Sequence, residues 1–92
     1  MTFNEIEKKA YTLKGETINP LDHDLIEENI IKILKMCLEK DIKLNLTEND
    51  FVKIINIYYK KYHTYYDDFI KELEKNSINK INMAHVIEKL TI

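Results

Sequence analysis

Between Glu48 and Lys75 the chain runs without Gly or Pro, and its apolar residues recur at helical spacing rather than alternating. Projected at about 100° per residue from Phe51, the residues Ile54, Ile55, Tyr58, Tyr59, Tyr62, Tyr65, Tyr66, Phe69, Ile70 and Leu73 fall within an arc of roughly 160°. Lys53, Asn56, Lys60, Lys61, His63, Thr64, Asp67, Asp68, Lys71, Glu74 and Lys75 fill the opposite side. This pattern predicts one helix of roughly 40 Å, longer than a domain of 92 residues is wide. The remaining segments are too short to cover so broad a face, so the pattern points to a second chain.

The flanking segments read as helices with recognisable starts. Thr2 and Glu5 fit a capping box, followed by Phe3, Ile6, Ala10 and Leu13 at helical spacing, with Gly15 as the expected stop. After Glu16–Pro20 breaks the pattern, Asp22 or Asp24 can cap a second helix carrying Leu25, Ile26, Ile30, Ile33, Leu34, Cys37 and Leu38. The connector 41–46 alternates Ile42, Leu44 and Leu46 with polar residues, which fits a short extended piece. Thr47 and Asp50 then cap the long helix. A second extended piece is expected at Lys80-Ile81-Asn82, where Asn82 caps a last helix bearing Met83, Val86, Ile87 and Leu90. The expected class is all-α.

Composition narrows the function more than the fold. Fourteen cations against sixteen acids leave a net charge of −2, and every cation is Lys. Without Arg the chain lacks the side chain that clamps phosphate in two places, which weakens a DNA-binding role for the chain alone. Lys40, Lys43 and Lys80 are the candidate phosphate contacts if the fold gathers the two connectors. The N-terminal stretch has no apolar run of signal-peptide length, and no segment reaches the length of a membrane span. The expectation is an intracellular protein, with no membrane partner.

No constellation points to catalysis. His23, His63 and His85 sit in three separate segments, outside any metal-ligand spacing. Asp67 and Asp68 are adjacent on a helix and diverge, which does not suit an acid–base pair. Cys37 is the only cysteine and falls on an apolar face, where a thiol behaves as a small hydrophobe. The expectation is a protein without catalytic residues, metal, cofactor or small-molecule substrate. The unusual enrichment is Tyr58, Tyr59, Tyr62, Tyr65 and Tyr66, since amphipathic aromatics suit protein interfaces.

The succession of helix, connector, long helix, connector and short helix resembles the histone fold. The stretch NSINKINMAHVIEKL resembles that fold's second loop and third helix, and KLNLTENDF its first loop. The resemblance covers about residues 24–92 and leaves 1–23 as an N-terminal helical extension. The family's frequent loop arginine and its acidic partner are replaced here by Lys80 or Asn79 and by His85. The resemblance implies a subunit that pairs with a second histone-fold chain, or with a copy of itself, in a nuclear chromatin-associated assembly of kinetochore or DNA-repair type. Nucleic acid would then be bound only through the assembly. The expected shared core is Phe51, Ile55, Tyr58, Tyr62, Tyr65, Tyr66 and Phe69.

Three other readings fit the same residues. One is a histone-like subunit of a general transcription factor. Another is a small bacterial or phage helical bundle in the cytoplasm, acting as an inhibitor, immunity or regulatory binding protein. That reading expects the long helix to break near His63-Thr64 and the tyrosines to form an exposed surface. A DNA-binding regulator is the third, and it predicts strongly salt-dependent binding by the isolated chain.

Overall fold

Five helices build the protein, in a computed structural model that describes residues 1–12, 15 and 17–90. They are α1 (Phe3–Ala10), α2 (His23–Glu39), α3 (Glu48–Tyr62), α4 (Asp68–Asn76) and α5 (Met83–Glu88). All-α is therefore the architecture. No helix among the described residues is long and apolar enough to cross a membrane.

The helix starts follow the side-chain chemistry. Thr2 with Glu5 and Thr47 with Asp50 both close reciprocal capping boxes, while Asp22 caps α2 and Asn82 caps α5. The first helix stops at Ala10, short of Gly15, with Tyr11 as its C-cap. Leu13, assigned by spacing to the same helix, lies outside the described residues. One of the carbonyls freed at that end is taken by the buried Asn29 side chain of α2, whose Nδ2 donates to the Ala10 oxygen at 3.1 Å. Phe3, Ile6 and Ala10 are buried against α2, so the N-terminal segment belongs to the core.

The expected single helix over 48–75 is two helices. α3 ends at Tyr62, His63 adopts a left-handed conformation (φ 55°, ψ 34°), and its N–H closes the turn on the Tyr59 oxygen at 2.7 Å. Asp67 then starts α4 by accepting from the Ile70 N–H at 3.3 Å. The physical reason for the break is cover. A straight helix of this length would exceed the molecule's longest extent of 37 Å and leave Ile70 and Leu73 without neighbours. Folding back lays α4 on α2 and buries both residues completely.

The connectors complete the closure. Leu44 pairs in parallel with Ser77, through Leu44 N–H to the Asn76 oxygen at 3.2 Å and Ile78 N–H to the Leu44 oxygen at 2.7 Å. The second extended contact thus falls at Ser77, earlier than the expected 80–82. Thr2 pairs with Asn45 beside it. Two side-chain amides, of the buried Asn76 and the exposed Asn79, lock this layer, since Asn76 Nδ2 donates to the Ile42 oxygen at 2.6 Å and Asn79 Nδ2 to the Leu46 oxygen at 2.9 Å. Each satisfies a backbone group that burial would otherwise leave unpaired.

Candidate functional site

The folded-back chain divides the residues expected to form a shared interface into three groups. Phe51, Ile55 and Tyr58 are covered by the chain itself, at 0%, 1% and 9% exposure. They form part of the chain's own core, at positions where the sequence pattern expects a face shared with a second chain. Tyr62 and Phe69 lie on the α2 side of the hinge, where the Lys35 ammonium stands 5.6 Å and 5.7 Å from their ring centres. Tyr65 and Tyr66 turn toward α5.

Ring packing explains how the hinge is held. Tyr58 stacks on Phe69 at 5.1 Å, and Tyr65 on Tyr59 at 4.0 Å between ring centres. Both pairs tie α3 to residues beyond the break. Such pairs contribute about 0.5–1.5 kcal/mol beyond their buried area, enough to offset one left-handed residue. On the polar side, Lys60 reaches Glu27 at 3.0 Å and Lys61 donates to the Asp24 oxygen at 3.1 Å, fixing the end of α3 to the start of α2.

On the opposite side, Tyr65 and Tyr66 join Ile55, Ile87 and Leu90 around an apolar cleft of about 380 Å³. Ile87 is 52% exposed and Tyr66 43%, so the rim is open to solvent. The helical spacing places both Val86 and Ile87 on the packed side of the last helix; the structure buries Val86 and leaves Ile87 exposed. The ammonium of Lys71 lies 5.7 Å from the Tyr66 ring centre. Burial, followed by the charge and hydrogen bond of Glu74, pushes the Tyr66 hydroxyl above its ordinary pKa. For Tyr65 the same direction comes from burial and then Tyr59.

The largest shift belongs to Tyr58. Its hydroxyl is pushed up to about 12, mainly by burial and then by the Asp67 carboxylate. An unfolded tyrosine releases its proton near pH 10. Above that pH the unfolded chain binds fewer protons than the native one, so stability is intact below about pH 10 and falls as pH rises toward 12. The loss from Tyr58 is about 2–3 kcal/mol. Urea unfolding followed through this range checks it: Tyr58→Phe should flatten the alkaline decline, and an unchanged decline contradicts the assignment.

The candidate phosphate contacts are divided between structural and free roles. Lys43 donates to the Asn76 side chain at 3.3 Å and so helps hold the connector layer. Lys40 and Lys80 are exposed, Lys40 at the end of α2 and Lys80 on the second connector. Cys37 is buried, and burial pushes its thiol above the ordinary value. Among the described residues no group of three or more His, Cys, Asp or Glu is placed to hold a metal ion.

Sequence reasoning names Tyr65 and Tyr66 but misses the cleft, because it assigns Ile87 and Leu90 to packing. The signal for the break is present in Asp67-Asp68, an N-cap followed by a first-turn acid, and in the poor helix formers His63 and Thr64. No family model, curated protein or solved structure matches the chain.

Proposed function

We propose that this is a non-enzymatic binding protein that docks on a partner protein through the cleft between the α3–α4 hinge and α5. The observation that carries the reading is the open apolar cleft of Ile55, Tyr65, Tyr66, Ile87 and Leu90. Its size would admit a small molecule, but among the described lining residues the only side-chain polar atoms are two tyrosine hydroxyls. Ligand and substrate sites need several convergent polar groups to fix orientation, whereas a protein side chain is oriented by the surface around it. An exposed aromatic rim over an apolar floor matches the anatomy of a binding hot spot. The break at His63 supports the small helical binding protein, of inhibitor, immunity or regulatory kind, over the paired subunit.

A second reading keeps one observation in its favour. The parallel contact of Leu44 with Ser77 joins the two connectors that the histone-fold resemblance assigns as loops. Under that reading the chain is a histone-fold subunit resembling centromere protein X, or a subunit of a general transcription factor, and residues 48–75 straighten on meeting a partner.

Affinity capture with the intact chain, followed by identification of the bound protein, tests the docking role. Ile87→Asp should weaken a genuine partner by roughly thirtyfold or more, as loss of a hot spot does. Leu21→Asp, at a position 80% exposed and outside the cleft lining, should leave it unchanged. Equal binding by both variants contradicts the assignment.

A further inference from the structure

The hinge at 63–67 separates two helices whose apolar residues share one continuous helical face in sequence, and neither Gly nor Pro enforces the turn. His63 instead holds a left-handed backbone that a side-chain-bearing residue adopts at a cost. Besides the stack of Tyr65 on Tyr59, what keeps the turn closed is the packing beyond it. α4 packs on α2, α5 packs on α3, and the second connector bonds to the first. None of those contacts depends on which copy of the chain supplies residues 68–90.

From this we infer that the protein exchanges its α4–α5 segment with a second copy at high concentration. Residues 63–67 become helical, α3 and α4 run on as one helix, and each copy lays its α4 on the other's α2. The contacts of Asn76 with Ile42, Ile78 with Leu44 and Asn79 with Leu46 re-form between chains without change of partner type. At the hinge the exchange relieves the left-handed residue and gives up the stack of Tyr65 on Tyr59, while Tyr62 and Tyr66, 49% and 43% exposed in the closed chain, are covered by the second copy. Strained short hinges are the known setting for such exchange. The exchange needs no partner other than a second copy of the chain.

Paired cysteines read the exchange directly. In a full chain carrying Asn45→Cys and Asn79→Cys with Cys37→Ala, the new thiols replace side chains now 2.6 Å apart. Oxidised after refolding at low micromolar concentration, the chain should close an internal disulfide; after refolding at millimolar concentration, covalent two-chain species should appear. His63→Gly relieves the turn and disfavours the straight helix, so it should reduce the two-chain fraction by at least about tenfold. Replacing His63, Thr64 and Asp67 by Ala should raise it by a similar factor. Internal disulfides alone at every concentration, or a two-chain fraction indifferent to the hinge, overturn the inference. Light scattering on the hinge variants without the cysteine pair measures the same exchange independently, and a one-chain mass for the alanine variant at millimolar concentration also overturns it.

Discussion

Phe51→Ala is expected to destabilise the isolated chain by about 3–5 kcal/mol, with a midpoint of unfolding that does not depend on protein concentration. Phe51 sits fully buried in the first turns of α3. Removing its ring forfeits the transfer energy and leaves a cavity that Ile54, Ile55 and the connectors cannot collapse to fill. A domain of this length has roughly 5–14 kcal/mol in total, so the variant should lie near the edge of folding at room temperature. The independence from concentration is the informative part. A Phe51 shared between two chains would couple stability to mass action, and dilution would lower its midpoint. Equilibrium urea unfolding at two widely separated concentrations distinguishes the cases.

The second large effect is expected from Ile6→Ala, which should cost about 2–5 kcal/mol. Ile6 is fully buried in α1, within the segment that the sequence pattern treats as an extension. If residues 1–23 were a dispensable arm, truncating one of its side chains would shift stability by a few tenths of a kcal/mol, as surface changes do. The packing of α1 on α2, the Asn29 amide on the Ala10 carbonyl and the pairing of Thr2 with Asn45 all point to a structural role. Chemical denaturation of the single variant is sufficient, and a loss below about 1 kcal/mol contradicts the assignment.

Local signals in the sequence are legible because they act over a few residues. Capping boxes at Thr2 and Thr47, the caps at Asp22 and Asn82, and the apolar spacing of α2 each depend on neighbours within a turn. The break at His63 is signalled locally by Asp67-Asp68 and the poor helix formers before them, but the apolar period overrides that signal, because periodicity registers which face is apolar and not whether the axis bends. Tyr65, Phe69, Ile70 and Leu73 stay in phase with Phe51 across the hinge, while the decision to fold back comes from α2, which covers Ile70 and Leu73. Tertiary burial outweighs a local pattern that favours one helix. The role of α1 is hidden for a related reason, since its partners Asn29 and Asn45 lie far along the chain.

The candidate site is half legible. A cluster of amphipathic rings marks Tyr65 and Tyr66, but the cleft arises only when the hinge brings them opposite Ile87 and Leu90. The same folding withdraws Phe51, Ile55 and Tyr58 from the surface. Residues that pattern alone assigns to one interface therefore serve as core on one side of the hinge and as cleft rim on the other.

The claim that the chain closes its own core is tested most directly by its mass in solution with its unfolding curve. Sedimentation equilibrium at low micromolar concentration should give one chain of 11.1 kDa that unfolds cooperatively. An isolated chain that is unfolded, or that folds only as an oligomer at that concentration, contradicts the account.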